Sequence, residues 1–287
     1  MYYSIYPRLR VIFTYFPERK TFQGLTEVDN IRAFLNNLKN LKLISRFPLH
    51  EEKIEDYLGE QVYQFSKKIQ NQLQGSAQEF FTDYMRIYEL EDIKNALYGH
   101  KSQFKLFQDS NYTMEEIGQE LENTPWQEAW KNGVSRFQSS GNKSDIEFKL
   151  ERRYYNLLLD SLENLLWSDR KTTRQFLINW IVLVNQNWYY RLQNNYQLED
   201  FEIKQYLAFH DLIAEKIDKL QGLSSEDYQE KLYKLCYKTF KEEMYTMAAI
   251  LSFLRIFKMK TSRLLSIYKG LKYNLKKDTI YTAIGEK

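Results

Sequence analysis

The chain has 287 residues, 43% of them hydrophobic, and a formal net charge of +3, enough apolar material for one large domain or two smaller ones with a sizeable core. A single cysteine, Cys236, excludes an intramolecular disulfide and suits a reducing cytoplasm, and its neighbours Leu232, Leu235 and Tyr237 point to a buried thiol rather than a nucleophile. The most apolar runs, Leu177 to Val184 and Met247 to Leu254, fall far short of the roughly 20 residues that cross a bilayer, and Val11 to Phe16 is too short for a secretory core.

Taken in order, residues 1 to 25 read as aromatic and irregular, broken by Pro7, Pro17 and Gly24. Thr26, with Asp29 three residues on, signals the start of a helix carrying Ile31, Phe34, Leu35, Leu38 and Leu41. A second helix is expected from Glu51 to about Leu73, striped by Ile54, Leu58, Val62, Phe65 and Ile69 and ended by Gly75. Ser76 and Glu79 form a potential capping box for a helix reaching Leu97. Thr113 with Glu116 starts a short helix, and Thr124-Pro125-Trp126-Gln127 supplies a cap, a proline at the first helical position and a matching Gln.

Ser139 to Ser144 is the clearest loop by composition. Beyond it a stripe from Asp145 to about Trp167 and the apolar segment within Phe176 to Asn187 indicate two more helices, the second buried on most sides. Further helices are expected over 198 to 221 and 225 to 242, then from Met247 to a stop at Gly270, with a short one after Lys277-Asp278. No proline follows Pro125 and no Asn-Gly turn joins alternating strands, so the fold class reads as all-α.

One motif recurs faintly. Asp92-Ile93-Lys94-Asn95 is echoed by Val184-Asn185-Gln186-Asn187, 92 residues on, and by Lys260-Thr261-Ser262-Arg263, 76 further. Such self-similarity indicates one supersecondary unit used several times, and it makes Asp92, Asn95 and Asn187 candidate structural residues at repeat junctions. Asp92 and Asn95 share a helix face near a C-terminus, where they could bond free carbonyls or a neighbouring helix.

Signals for bond chemistry are absent from the sequence. There is no phosphate-binding Gly-rich loop, and His50, His100 and His210 stand apart with no metal-ligand spacing, so no catalytic residue, cofactor or metal is expected. Charge is uneven: residues 251 to 287 hold nine Lys or Arg against two acids, a net of +7. Such a cluster reads either as an ordinary solvated face or as a surface for an acidic protein, anionic lipid or nucleic acid, a protein being favoured among these because no nucleic-acid motif accompanies it, and Lys258, Lys260 and Arg263 are its candidate partner-interface residues.

With Asp92 to Asn95, the partial match Asn187 to Arg191, the Glu-rich helix Glu147 to Tyr155, and the ending Phe253-Leu254 with Leu264 to Gly270 in view, the chain resembles the C/d family of V/A-type (vacuolar/archaeal-type) rotary ATPase subunits, which spans archaeal, bacterial and eukaryotic vacuolar members. It departs from that pattern at Val184, Lys260, Arg263 and Leu265. The resemblance implies a funnel-like single domain over 1–287, with pseudo-threefold symmetry and approximate repeats 1–100, 101–192 and 193–287. It further implies a non-catalytic, cytoplasmic, membrane-peripheral rotor part whose partners are the central-shaft subunits and the proteolipid ring of the membrane sector. A helical scaffold unrelated to that machine, and an enzyme with a site assembled from distant residues, stand as the alternatives at the level of sequence.

Overall fold

The computed structural model describes residues 2–39, 54–100, 104, 107, 112–208, 210–217 and 220–285. Among these every regular element is helical: α1 (Tyr6–Phe13), α2 (Arg19–Thr26), α3 (Ile31–Lys39), α4 (Ile54–Gln70), α5 (Ser76–Leu97), α6 (Met114–Glu120), α7 (Gln127–Ser140), α8 (Ser144–Asp160), α9 (Trp167–Tyr196), α10 (Asp200–Ile203), α11 (Ala214–Ile217), α12 (Ser225–Glu242), α13 (Met247–Lys272) and α14 (Lys277–Ala283). Short 3₁₀ turns occupy Ser161–Asn164 and Asp211–Ile213. The chain divides into two compact units, one of Met1–Gln72 with Cys236–Lys287 and the other of Leu73–Leu235.

The discontinuous unit is built on α13. Its first half, Met247 to Phe257, is buried nearly all round, so neighbours must cover it on several sides. Along its whole length α13 packs against α4, α1, α2, α3 and α14. Phe13, Phe16, Phe65, Phe240, Phe253 and Phe257 meet in stacked, tilted and edge-on pairs at one end, and Phe22, Phe34, Leu38, Leu58, Leu264 and Ile267 form a second cluster at the other.

Three local expectations give way in this unit. The stretch before Thr26 holds two helices, because Pro7 sits in the first turn of α1, where its missing N–H costs nothing, and Gly24 lies within α2. Thr26 ends α2 instead of capping α3: its hydroxyl donates back to the Phe22 carbonyl at 3.0 Å, and Asn30 Oδ1 takes the Ala33 N–H at 2.9 Å as the true cap. Gly270 does not stop the last long helix. It lies inside α13 because α14 crosses there, and a Cβ at this position would stand 2.4 Å from Ile280 Cγ1. The helix stripe from Ile54 to Ile69 is as expected, with Ser66 buried on it; residues 51–53 lie outside the described residues, as does Leu41.

In the contiguous unit α7 and α8 pair closely, with Gly133 against Ile146. The Thr113–Glu116 capping box forms as read, while Ser76 merely opens α5 and Gly75, at φ 55°, caps it through its own carbonyl. Thr124 Oγ1 accepts from the Trp126 N–H at 3.3 Å and Gln127 Oε1 from the Asn123 N–H at 3.4 Å, so those polar side chains act at the boundary although α7 begins only at Gln127. The expected helix over 198 to 221 is broken into α10, a 3₁₀ turn and α11. Between them the Asn185 side chain binds both backbone groups of Ala208, its Oδ1 accepting at 2.9 Å and its Nδ2 donating at 2.8 Å, which replaces the helical hydrogen bonds Ala208 would otherwise make.

Candidate functional site

The motif that begins the repeat series sits at the end of α5. Asp92 is fully buried, and its two carboxylate oxygens accept the Phe104 N–H at 2.9 and 3.0 Å. Asn95 is half-buried; its backbone carbonyl takes the His100 N–H at 2.7 Å while Gly99, at φ 72°, donates to Ala96, a left-handed helix ending that needs the glycine. Asp92 thus holds the backbone that follows its helix and leaves the helix carbonyls to Gly99 and His100.

In α9 two asparagines share the comparable task. Asn185 clamps Ala208, and Asn187 Nδ2 donates to the Leu223 carbonyl at 3.2 Å and to Ser225 Oγ at 3.3 Å. The residue that behaves like Asp92 is therefore Asn185, one position out of the register in which Asn187 matches Asn95. A buried polar side chain must be fully satisfied, and these hydrogen bonds to distant backbone segments do that.

The third version, in α13, works differently. Lys260 is buried; its ammonium donates to the Pro17 carbonyl at 2.9 Å and stands 5.1 Å from the centre of the Phe22 ring. The Arg263 guanidinium lies 5.8 Å from the same ring, and Arg263 and Lys258 are both half-buried. Other cations of the segment meet acids from far earlier in the chain: Lys272 and Lys269 face Glu55 at 2.7 and 3.8 Å, and Lys277 faces Glu27 and Asp29 at 3.1 and 3.6 Å. These pairs are exposed and weakly stabilising, but they lower the local excess that the segment's own count suggests.

A denser charge cluster lies where α5 meets α8. Lys94 sits between Glu147 and Glu151, which are four residues apart and so share one face of α8. Burial pulls the Lys94 ammonium down, but the attraction of Glu151 and Glu147 more than reverses this and holds it above its ordinary range. Burial, opposed by Lys94 and reinforced by Glu147, raises Glu151. Tyr98 donates to Glu147 at 3.1 Å, and Lys143 Nζ donates to the Leu97 carbonyl at 2.7 Å, capping α5. The sequence carried the signal in the spacing of Glu147 and Glu151 on a Glu-rich helix, but nothing local identified Lys94 as their partner.

His210 Nδ1 accepts the Leu212 N–H at 3.1 Å while Nε2 faces Asp160 at 3.1 Å, and His50 lies outside the described residues. Burial pushes the Cys236 thiol up to about 12, far from a reactive thiolate. Among the described residues no three His, Cys, Asp or Glu side chains group as metal ligands, and no helix is long and apolar enough to cross a membrane.

No curated protein matches the chain. A family model does, over residues 5–227, a span that includes Asp92, Asn95, Asn185 and Asn187 and stops short of α13. Its description is ATP synthase (C/AC39) subunit, and the match covers well over half the sequence, so the chain belongs to this family of V/A-type ATPase subunits.

Proposed function

We propose that the protein is a non-catalytic central-stalk subunit of a V-type ATPase or ATP synthase, joining the proteolipid ring to the central shaft and transmitting torque for ATP-coupled H⁺ or Na⁺ transport. The observation that carries this is the family match over residues 5–227. A torque-bearing part needs stiffness, and the buried pins Asp92 to Phe104, Asn185 to Ala208 and Asn187 to Leu223 fasten irregular segments to long helices in the way stiffness requires. The subunit works on the cytoplasmic side, peripheral to the membrane, as one functional body of three related helical groups over about 1–100, 101–192 and 193–287.

The cationic part of α13 supplies a docking face for an acidic surface on the shaft. Within it Lys258 and Arg263 are the half-buried contributors and Lys260 the internal support. Affinity capture of the tagged chain from its host, followed by identification of the captured subunits, tests the assignment. Recovery of shaft and ring subunits is the expected result, and recovery of neither refutes it. A preparation free of head subunits is expected to hydrolyse no ATP.

A further inference from the structure

Of the five tryptophans, Trp126, Trp130, Trp180 and Trp188 are at most 4% exposed, whereas Trp167 is 79% exposed and its neighbour Leu166 is 72% exposed. Leaving these two side chains in water is unfavourable, and the turn that presents them is held firmly. Arg170 donates through Nη1 to the Glu163 carboxylate at 2.6 Å, through Nη2 to the Glu163 carbonyl at 2.7 Å, and through Nε and Nη2 to the Leu165 carbonyl at 3.2 and 3.0 Å. Leu162 and Leu165 of the same turn are buried and anchor it from below. The apolar pair therefore projects from a preorganised corner.

Charge surrounds it on one side. Trp167, Lys171 and Arg174 recur at helical spacing along the first turns of α9, and Lys171 and Arg174 are exposed and form no ion pair among the described residues. The nearby acids are occupied: Glu163 is bound by Arg170, and Asp169 is buried with Thr173 against it. Leu166 stands at the N-cap with no side-chain cap, and Asp169 in the first turn offsets the positive end of the helix, so the basic character of this corner rests on Lys171 and Arg174.

We propose that the Leu166–Trp167 corner is a contact site for the surface of an anionic phospholipid bilayer, with Trp167 and Leu166 entering the headgroup boundary and Lys171 and Arg174 meeting lipid phosphates. An exposed indole beside an aliphatic side chain and unpaired cations is the composition that suits this boundary, where one end of the contact is apolar and the other wet. This contact is direct and goes beyond attachment through partner subunits.

All five tryptophans emit, but the other four are buried, so a change in emission or quenching on vesicle addition reports chiefly on Trp167. The full chain is mixed with phosphatidylcholine vesicles, with and without phosphatidylglycerol, some carrying brominated acyl chains. The expected result is a blue shift and bromine quenching on phosphatidylglycerol vesicles, absent in Trp167→Phe. Co-sedimentation should weaken about fivefold for each of Lys171→Gln and Arg174→Gln, and should fall with added salt. Leu166→Ser with Trp167→Ser should abolish it while the circular dichroism spectrum is retained. Equal binding to neutral vesicles, or no shift on either, overturns the proposal. So does shielding of Trp167 from iodide only when shaft or ring subunits are added without anionic lipid, which would make the corner a protein contact.

Discussion

Gly133→Ala sets two effects of opposite sign against each other. In the interior of α7 the substitution should favour the helix by about 0.5–1 kcal/mol, because glycine loses more backbone freedom than alanine. The new methyl would, however, sit 2.7 Å from Ile146 Cα and 3.3 Å from Ile146 Cβ. Ordinary carbon contacts lie at about 3.5–4.0 Å, so α7 and α8 must part by about 1 Å, forfeiting a quarter to a half of the dispersion along their shared face. Overpacking of this kind costs about 1–3 kcal/mol, and with backbone as the obstacle the upper end applies. The net expectation is a loss of about 2 kcal/mol, or roughly 4–8 °C in Tm. Denaturant titration followed by circular dichroism and tryptophan fluorescence measures it. Gly270→Ala is the informative companion, since the atoms nearest its methyl all belong to the Ile280 side chain, at 2.4, 2.6 and 3.5 Å. Ile280→Ala should therefore make Gly270→Ala nearly free, whereas Ile146→Ala should not rescue Gly133→Ala. A stabilised Gly133→Ala, or its rescue by Ile146→Ala, would refute the reasoning.

Gly24→Ala, in α2 with nothing within 4 Å of the new methyl, should stabilise by about 0.5–1 kcal/mol in the same titration. Lys94→Met should cost about 2–4 kcal/mol near neutral pH by leaving Glu151 beside Glu147 without their cation, and the loss should shrink as acid protonates Glu151. Because the folded-state pKa of Glu151 is raised, its ionisation opposes folding: stability is fuller below that pKa and is lost as pH rises through it, so Glu151→Gln should gain on the parent as pH rises. A difference that stays constant from acid to alkaline pH would contradict this. Lys260→Met should destabilise by about 1–3 kcal/mol through the orphaned Pro17 carbonyl, while Lys258→Gln with Arg263→Gln should slow shaft association in a salt-dependent way; equal rates at low and high salt would remove the docking role.

Elements whose cause is local could be read directly. The Thr113–Glu116 box and the span of α12 depend on residues a few positions apart. What escaped depends on distant partners. The run from 198 to 221 has helical composition, but Asn185 takes the Ala208 backbone out of a helix from 23 residues away. Gly270 looked like a terminator because nothing nearby announces that Ile280 presses against it. The +7 of the last segment was correctly counted, yet Glu27, Asp29 and Glu55 meet part of it from more than 200 residues upstream. The place of Asp92 near the end of α5 was legible, though its hydrogen bond to the Phe104 backbone was not.

The division into units also orders the birth of the protein. Leu73–Leu235 is one uninterrupted stretch, so its contacts can close as soon as it leaves the ribosome. The other unit cannot, because Tyr6 donates to the Phe240 carbonyl and Lys260 to Pro17 across 234 and 243 residues. During synthesis α1 and α2 must therefore wait, with Phe16 and Phe22 bare, until α13 arrives to cover them. The helix that completes the structure is among the last made, and the nascent chain is most exposed to aggregation and proteolysis in the interval before it.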